Sequence, residues 1–262
     1  MVHGMQALPL VTVVTPCLNQ ARFLEEAIRS VLEQDYPRIE HVVVDGGSTD
    51  GSVEILRRYD HLRWISEPDE GQADALRKGF ELAGGEIFGW LNADDTYLPG
   101  AVSAAVTRLS SGDYGLVYGG YRVVHENGES AFEVPPHPFD FDTLLDAKNF
   151  VPQPSAFFTR AAYEAVSGVD SRYHYAMDYD LWVRIGRRFD VAVIDGILSC
   201  FRFQSESKSV TAADRFYPEM RKISRRHGGR FFSRMYLERL PQRRPFLFKL
   251  VLAYRLLRRS AR

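Results

Sequence analysis

The chain has 262 residues, 45% hydrophobic and 26% charged, a composition that excludes a disordered polymer, a collagen-like repeat and a coiled coil. Its formal net charge of −1 argues against a dedicated nucleic-acid binder, which carries a basic excess, so no nucleic-acid partner is expected. The near-zero balance is nevertheless a sum of unlike parts: residues 215–262 hold 15 Lys and Arg against two acidic residues, or +13, leaving −14 on residues 1–214.

Cys17 and Cys200 are too few for a disulfide framework and lack metal-ligand spacing, which fits a reducing compartment. Met1 to Pro9 show no basic region followed by a long apolar run, so no signal peptide and a cytoplasmic location are expected. No uninterrupted apolar stretch reaches the roughly 18 residues of a membrane span, and the nearest candidate is broken by Lys249 and Arg255.

The first half alternates short β-branched runs with helical stripes. Leu10–Thr15 predicts a strand. Phe23, Leu24, Ala27, Ile28, Val31 and Leu32 fall on one helical face, and Tyr36-Pro37 ends that helix. Ile39–Val44 predicts a second buried strand, Leu62–Ile65 a third, Gln72–Ala83 a helix and Ile87–Leu91 a fourth strand. Such strand–helix repetition implies a parallel sheet with right-handed crossovers. Beyond Pro99 the pattern predicts a helix through about Leu109, a strand over Leu116–Val124 and a hairpin turn at Glu126-Asn127-Gly128. The proline-rich Val134–Asp142 reads as a loop over a site, Asp178–Phe189 as a helix and Val191–Phe203 as extended.

In an open parallel sheet, ligands bind beyond the carboxyl ends of the strands. Three such ends are polar here: Thr15–Asn19, Asp45–Asp50 and Asn92–Asp95. Asp94 and Asp95 emerge side by side from a buried strand, where their repulsion favours a bound cation, and Mg²⁺ or Mn²⁺ completes its shell with phosphate oxygens. Neither a Walker-type phosphate loop nor a Gly-x-Gly-x-x-Gly turn is present.

The segments Val11–Asn19, Glu40–Gly51, Glu67–Ala75 and Gly85–Asp95, in that order, resemble the family 2 glycosyltransferases. The resemblance implies an α/β glycosyltransferase-A fold with a mostly parallel central sheet, and an inverting transfer from a nucleoside-diphosphate-sugar donor to an acceptor hydroxyl. Carried over by position, it has Thr15, Pro16 and Asn19 line the nucleotide pocket and Asp45, beside Gly46, hydrogen-bond the base. Gln72, Asp74 and Arg77 approach the sugar and diphosphate, with Arg77 either helping the phosphates or pairing with Asp74. Asn92, Asp94 and Asp95 match the metal motif, Asn92 replacing its first carboxylate, and either Asp94 or Asp95 touches Mn²⁺ or Mg²⁺. Arg202-Phe203-Gln204 stands where many relatives have Arg-x-His. On the acceptor side the resemblance extends to Asn149–Phe158 and Tyr175–Arg184, making Asp178 the general base with Asp180 in reserve.

The expected organisation is a catalytic domain over 1–212, with a nucleotide-sugar half at 1–100 and an acceptor half at 101–212. A basic, amphipathic, helical C-terminal extension follows over 213–262. Drawn as a helix, Phe246, Leu247, Leu250, Ala253, Tyr254 and Leu257 oppose Arg255, Arg258, Arg259 and Arg262. That pattern suits an anionic membrane surface on the inner face of the cell membrane and, with it, a glycan or lipid-linked acceptor; packing on the domain is the other use of such a helix. A nucleotidyltransferase of similar sheet and a non-catalytic nucleotide- or glycan-binding relative are the alternatives in function.

Overall fold

A computed structural model describes residues 8–204 and 213–230. The amphipathic pattern at 246–257 lies outside them, as does all of the extension beyond 230.

The amino-terminal part is built as the alternation predicts. β1 (Val11–Cys17), α1 (Ala21–Leu32), β2 (Ile39–Asp45), α2 (Ser52–Leu56), β3 (Leu62–Ser66), α3 (Gln72–Leu82) and β4 (Ile87–Trp90) follow in turn. β3, β2, β1 and β4 lie side by side and all pair in parallel. β1 is buried along its whole length and so needs helices on both faces. α1 buries Phe23, Leu24, Ala27, Ile28 and Val31 of the face read from their spacing, whereas Leu32, in its last turn, is exposed.

After β4 the chain turns through Asn92–Asp95 and crosses to the far side of the sheet as β5 (Thr96–Tyr97), then forms α4 (Ala101–Ser110) and β6 (Tyr114–His125). The predicted turn at Glu126–Gly128 closes a hairpin to β7 (Ser130–Val134), with Gly128 at φ +85°. α5 (Phe141–Asp146) begins inside the expected 134–142 loop, capped by Asp140, whose Oδ1 accepts from the Thr143 N–H at 2.7 Å. A 3₁₀ turn (Gln153–Ser155), β8 (Ala156–Thr159), α6 (Arg160–Ala165), α7 (Met177–Gly186), β9 (Asp190–Phe203) and α8 (Ala213–Arg226) complete the order.

The sheet runs β3-β2-β1-β4-β8-β6-β9-β5, with β7 on the remaining edge of β6. β8 enters antiparallel to both β4 and β6, and β6 and β9 pair in parallel, so the sheet is mixed beyond its parallel amino-terminal half. One face is covered by α3 and α7 around Leu76, Phe80, Tyr179 and Trp182, the other by α1 and α4 around Val31, Val102 and Val106. α8 joins the first of these cores through Met220 and Ile223. No helix among the described residues is long and apolar enough to cross a membrane.

Candidate active site

The three polar strand ends lie along one edge, and hydrogen bonds staple the first two of them, 15–19 and 45–50, to one another. Asn19, in left-handed backbone at φ +52°, takes an N–H bond from Thr49 on Oδ1 (2.9 Å), and its own N–H donates to Ser48 Oγ (2.7 Å). Asp50 accepts from the Ala21 N–H (2.8 Å), supplying the cap that Gln20 does not give α1.

Two expected pocket residues are corrected here. Thr15 and Pro16 lie buried inside β1, which runs on to Cys17, and Thr15 Oγ1 is bonded to His41 Nε2 (2.9 Å). Their side chains hold the strand end, while Leu18 and Asn19 are its exposed residues. Asp45 is also fully buried: its carboxylate accepts from the Gly47 and Ser48 N–H groups and from the hydroxyls of Ser48 and Ser66. It organises its own loop.

A different carboxylate lies over that loop. Asp69, in the β3–α3 connection, is half-buried and held by the Gly71 N–H (2.8 Å). A Cβ on Gly46 would fall 2.6 Å from its Oδ2, so the missing side chain is what admits it. Gly46→Ala is expected to push Asp69 aside and weaken nucleotide binding about tenfold with little change in fold, measured by titration calorimetry with nucleoside diphosphates; undiminished affinity would reject a role for Asp69 there.

α3 starts at Gln72. Asp74 pairs with Arg77 (2.9 Å) and Lys78 (3.2 Å), and the Arg77 hydrogen bond holds its carboxyl below the usual range. Of the two uses expected for Arg77, pairing with Asp74 is therefore the one seen. Gln72 reaches the acidic loop, donating from Nε2 to Asn92 Oδ1 (2.8 Å).

Asn92 is saturated. Its Oδ1 also accepts from Trp90 Nε1 (2.9 Å), and its Nδ2 donates to Gln153 Oε1 (2.8 Å) and Asp95 Oδ2 (3.3 Å). An amide can give and take both kinds of bond, which a carboxylate cannot, and this accounts for the neutral residue at that position. The next two carboxylates differ in access. Asp95 is 1% exposed and accepts the Arg202 N–H on Oδ1 (3.0 Å), whereas half-buried Asp94 accepts from Gln204 Nε2 (2.6 Å). Burial raises both above the usual carboxylate range, and Asp94's charge raises Asp95 further. A cation would relieve that cost. Among the described residues no three His, Cys, Asp or Glu side chains converge. A hard divalent ion needs only one or two carboxylates when phosphate oxygens complete its shell, and the chemistry of Asp94 and Asp95 fits that demand.

Arg202 is the residue that sequence reasoning left at the margin. It is 4% exposed, donates from Nε to the Asp94 carbonyl (3.0 Å) and from Nη1 to that of Glu126 (3.1 Å), pairs with Glu26 and lies over the Phe23 ring. The acidic loop is thus fastened to the end of β9.

Across the site, Asp178 stands in the first turn of α7 and is not its cap, a place taken by Ala176. Its Oδ2 accepts from Asn149 Nδ2 (3.0 Å), and burial pushes its carboxyl up to about 6. Asp180, the reserve, is fully buried and bound to Arg184 Nε (2.7 Å), so it is not free to take a proton from a ligand. Asn149 and Gln153 belong to one short loop, which thereby touches both Asp178 and Asn92. The expected loop borders a cavity of about 420 Å³ with His137 and Asp142; Lys148 and Arg230 also line it.

Comparison with known proteins agrees with this fold. The model of the family described as Glycosyl transferase family 2 matches residues 12–167. An uncharacterized glycosyltransferase of Rickettsia felis is 31% identical over 212 residues, covering 77% of this chain, which spans only 35% of that relative's length. Staphylococcus aureus TarS 1–349, solved in complex with UDP-GlcNAc, superposes with a TM-score of 0.67 at 16% identity, over 90% of this chain and 73% of that one. The mannosyltransferase PcManGT of Pyrobaculum calidifontis, solved with GDP-Man and Mn²⁺, gives 0.62 at 21% identity, over 95% and 80% of the two chains.

Proposed function

The chain belongs to glycosyltransferase family 2, and from that premise we propose that it moves a sugar from a nucleoside-diphosphate-sugar to an acceptor hydroxyl with inversion. The observation that carries this reading is the placement of one carboxyl raised to about 6, Asp178, and an acidic loop at the two ends of one connecting segment. Asp178 takes the acceptor proton as its oxygen bonds to the anomeric carbon, and the bond from that carbon to the donor diphosphate breaks. Mn²⁺ or Mg²⁺, when bound by Asp94 with the donor phosphates, supplies positive charge at the leaving diphosphate. Asp69, admitted by Gly46, faces the base.

The acceptor is a glycan or lipid-linked hydroxyl in cell-surface polysaccharide or glycolipid synthesis. The +13 charge of residues 215–262 supports an acceptor at an anionic membrane surface on the cytoplasmic side. Thermal shifts with UDP-, GDP- and dTDP-sugars, with Mn²⁺ and with EDTA, test the donor. Stabilisation by at least one of them in Mn²⁺, lost in EDTA, is expected. Indifference to every nucleotide would reject the enzyme reading in favour of a scaffold.

A further inference from the structure

Three consecutive backbone N–H groups stand just ahead of α7, and all three donate to one carboxylate. Glu219 Oε1 accepts from His174 (3.0 Å), and its Oε2 accepts from Tyr175 (2.8 Å) and Ala176 (2.9 Å). A helix cannot satisfy its first amides internally, and a carboxylate is the favoured partner for them in both hydrogen bonding and helix-dipole charge. Elsewhere the chain does this locally: Asp140 caps α5 and Thr159 caps α6. At α7 the N-cap is Ala176, which has no side-chain acceptor, and a residue 43 positions downstream instead gathers the N–H groups of Ala176 and of the two residues leading into the helix.

Glu219 lies on α8, beyond residues 12–167 matched by the family model. The rest of that helix is seated on the same segment. Arg215 Nη1 donates to Tyr175 Oη (2.9 Å), Phe216 packs edge-on against the Tyr175 ring (centroids 5.7 Å apart), and Arg226 pairs with Asp170 (3.3 Å). Asp178 follows Ala176 by two residues, so the backbone that Glu219 pins is the backbone that carries Asp178.

We propose that Glu219 is a positioning residue for transfer: from α8 it fixes residues 174–176 and thereby sets where the Asp178 carboxylate meets the acceptor. The inference rests on the reading of Asp178 as the base. It makes docked α8 part of the acceptor half of the site. A displacement of about 1 Å at a reacting group can cost roughly a hundredfold in rate, the scale on which loss of such a clamp acts.

The test is steady-state transfer by the full chain carrying Glu219→Gln, Glu219→Ala or, as reference, Asp178→Asn. For both Glu219 variants kcat is expected to fall about 10- to 100-fold while the donor KM stays within about twofold, because the donor loops are untouched. In Glu219→Ala the three N–H groups are left open to a small anion, so acetate in the millimolar range should restore part of kcat. Glu219→Gln, whose side chain still fills the space, and Asp178→Asn should not respond. Glu219→Gln keeps the length and one acceptor oxygen, and it carries the test if the alanine variant does not fold. Wild-type kcat in folded Glu219 variants, with Asp178→Asn inactive, would overturn this inference alone. So would a loss of kcat in folded Glu219→Ala that acetate does not relieve. Full activity of Asp178→Asn would overturn the base reading and this inference with it.

Discussion

Asp178→Asn is expected to lose roughly 10²- to 10⁴-fold in transfer, the usual contribution of a positioned general base, while binding the donor as tightly as the parent chain. The amide is nearly isosteric and can keep a bond to Asn149, so the loss reports proton acceptance and not geometry. The parent's pH profile follows from the same carboxyl. It accepts a proton only when ionised, and burial has raised it to about 6, so kcat/KM should fall tenfold per pH unit below about 6. An acid limb near the ordinary carboxylate value of 3.8 would point to another base.

The stability of this variant should move the other way. A carboxyl raised in the folded state stabilises the fold fully only below its unfolded value, and that contribution is lost as pH rises through about 6. At neutral pH the folded chain therefore carries an ionised, half-buried carboxylate at a cost. Asp178→Asn should remove it and gain about 1–3 kcal/mol at pH 8, a gain that shrinks between about pH 6 and pH 4. Melting curves at pH 8 and pH 4.5 check this. A variant both inactive and more stable is the signature of a group kept for chemistry at the expense of the fold.

The second large effect separates the adjacent carboxylates. Asp94→Asn is expected to lose at least about a hundredfold in Mn²⁺-supported transfer without a fall in melting temperature, because its side chain is half-buried, its carboxyl is already raised by burial, and among the described residues it bonds to the Gln204 side chain alone. Asp95→Ala should instead lower stability by about 1–3 kcal/mol, since it orphans the buried Arg202 N–H and leaves Asn92 with an unmet donor. Manganese binding in the presence of a nucleoside diphosphate, followed by electron paramagnetic resonance, distinguishes them. Undiminished Mn²⁺ affinity in Asp94→Asn would remove it as the ligand.

The parallel half of the fold is legible in the sequence because each of its elements carries its own signal. Val11–Val14 is a β-branched run, Phe23 to Val31 repeat at helical spacing, and β-strand and helix alternate without interruption as far as Trp90. The elements that escape such reading are the short ones. β5 has two residues and exists because β9 is there to receive it; β8 has four, three of them buried, too few for a period. α5 emerges from a stretch whose prolines dominate its appearance. Positions at strand ends are legible as a group, but a one- or two-residue extension of β1 decides whether Thr15 and Pro16 face a ligand or the core. Local sequence does not carry that decision.

The site shows the same division. Asp94, Asp95 and Asp178 stand out by motif, whereas their partners Arg202, Gln153, Asn149 and Glu219 come from tens of residues away. Burial and tertiary hydrogen bonding select those partners. The resemblance singles out Asp178, but only the fold reveals that α7 is capped at Ala176 and that the Asp178 carboxylate is held by an asparagine.

The fastening of Asp95 to the Arg202 N–H, 107 residues downstream, also sets an order of assembly during synthesis. A nascent chain that has emerged through β4 already holds the four parallel strands, yet its acidic loop has nothing to close upon. Two carboxylates that cost energy when buried stay solvated until β9 arrives, and the Asp178 segment waits longer still, for Glu219. A fragment ending before β9 therefore lacks the closure of the acidic loop, and one ending before α8 lacks the hold on residues 174–176.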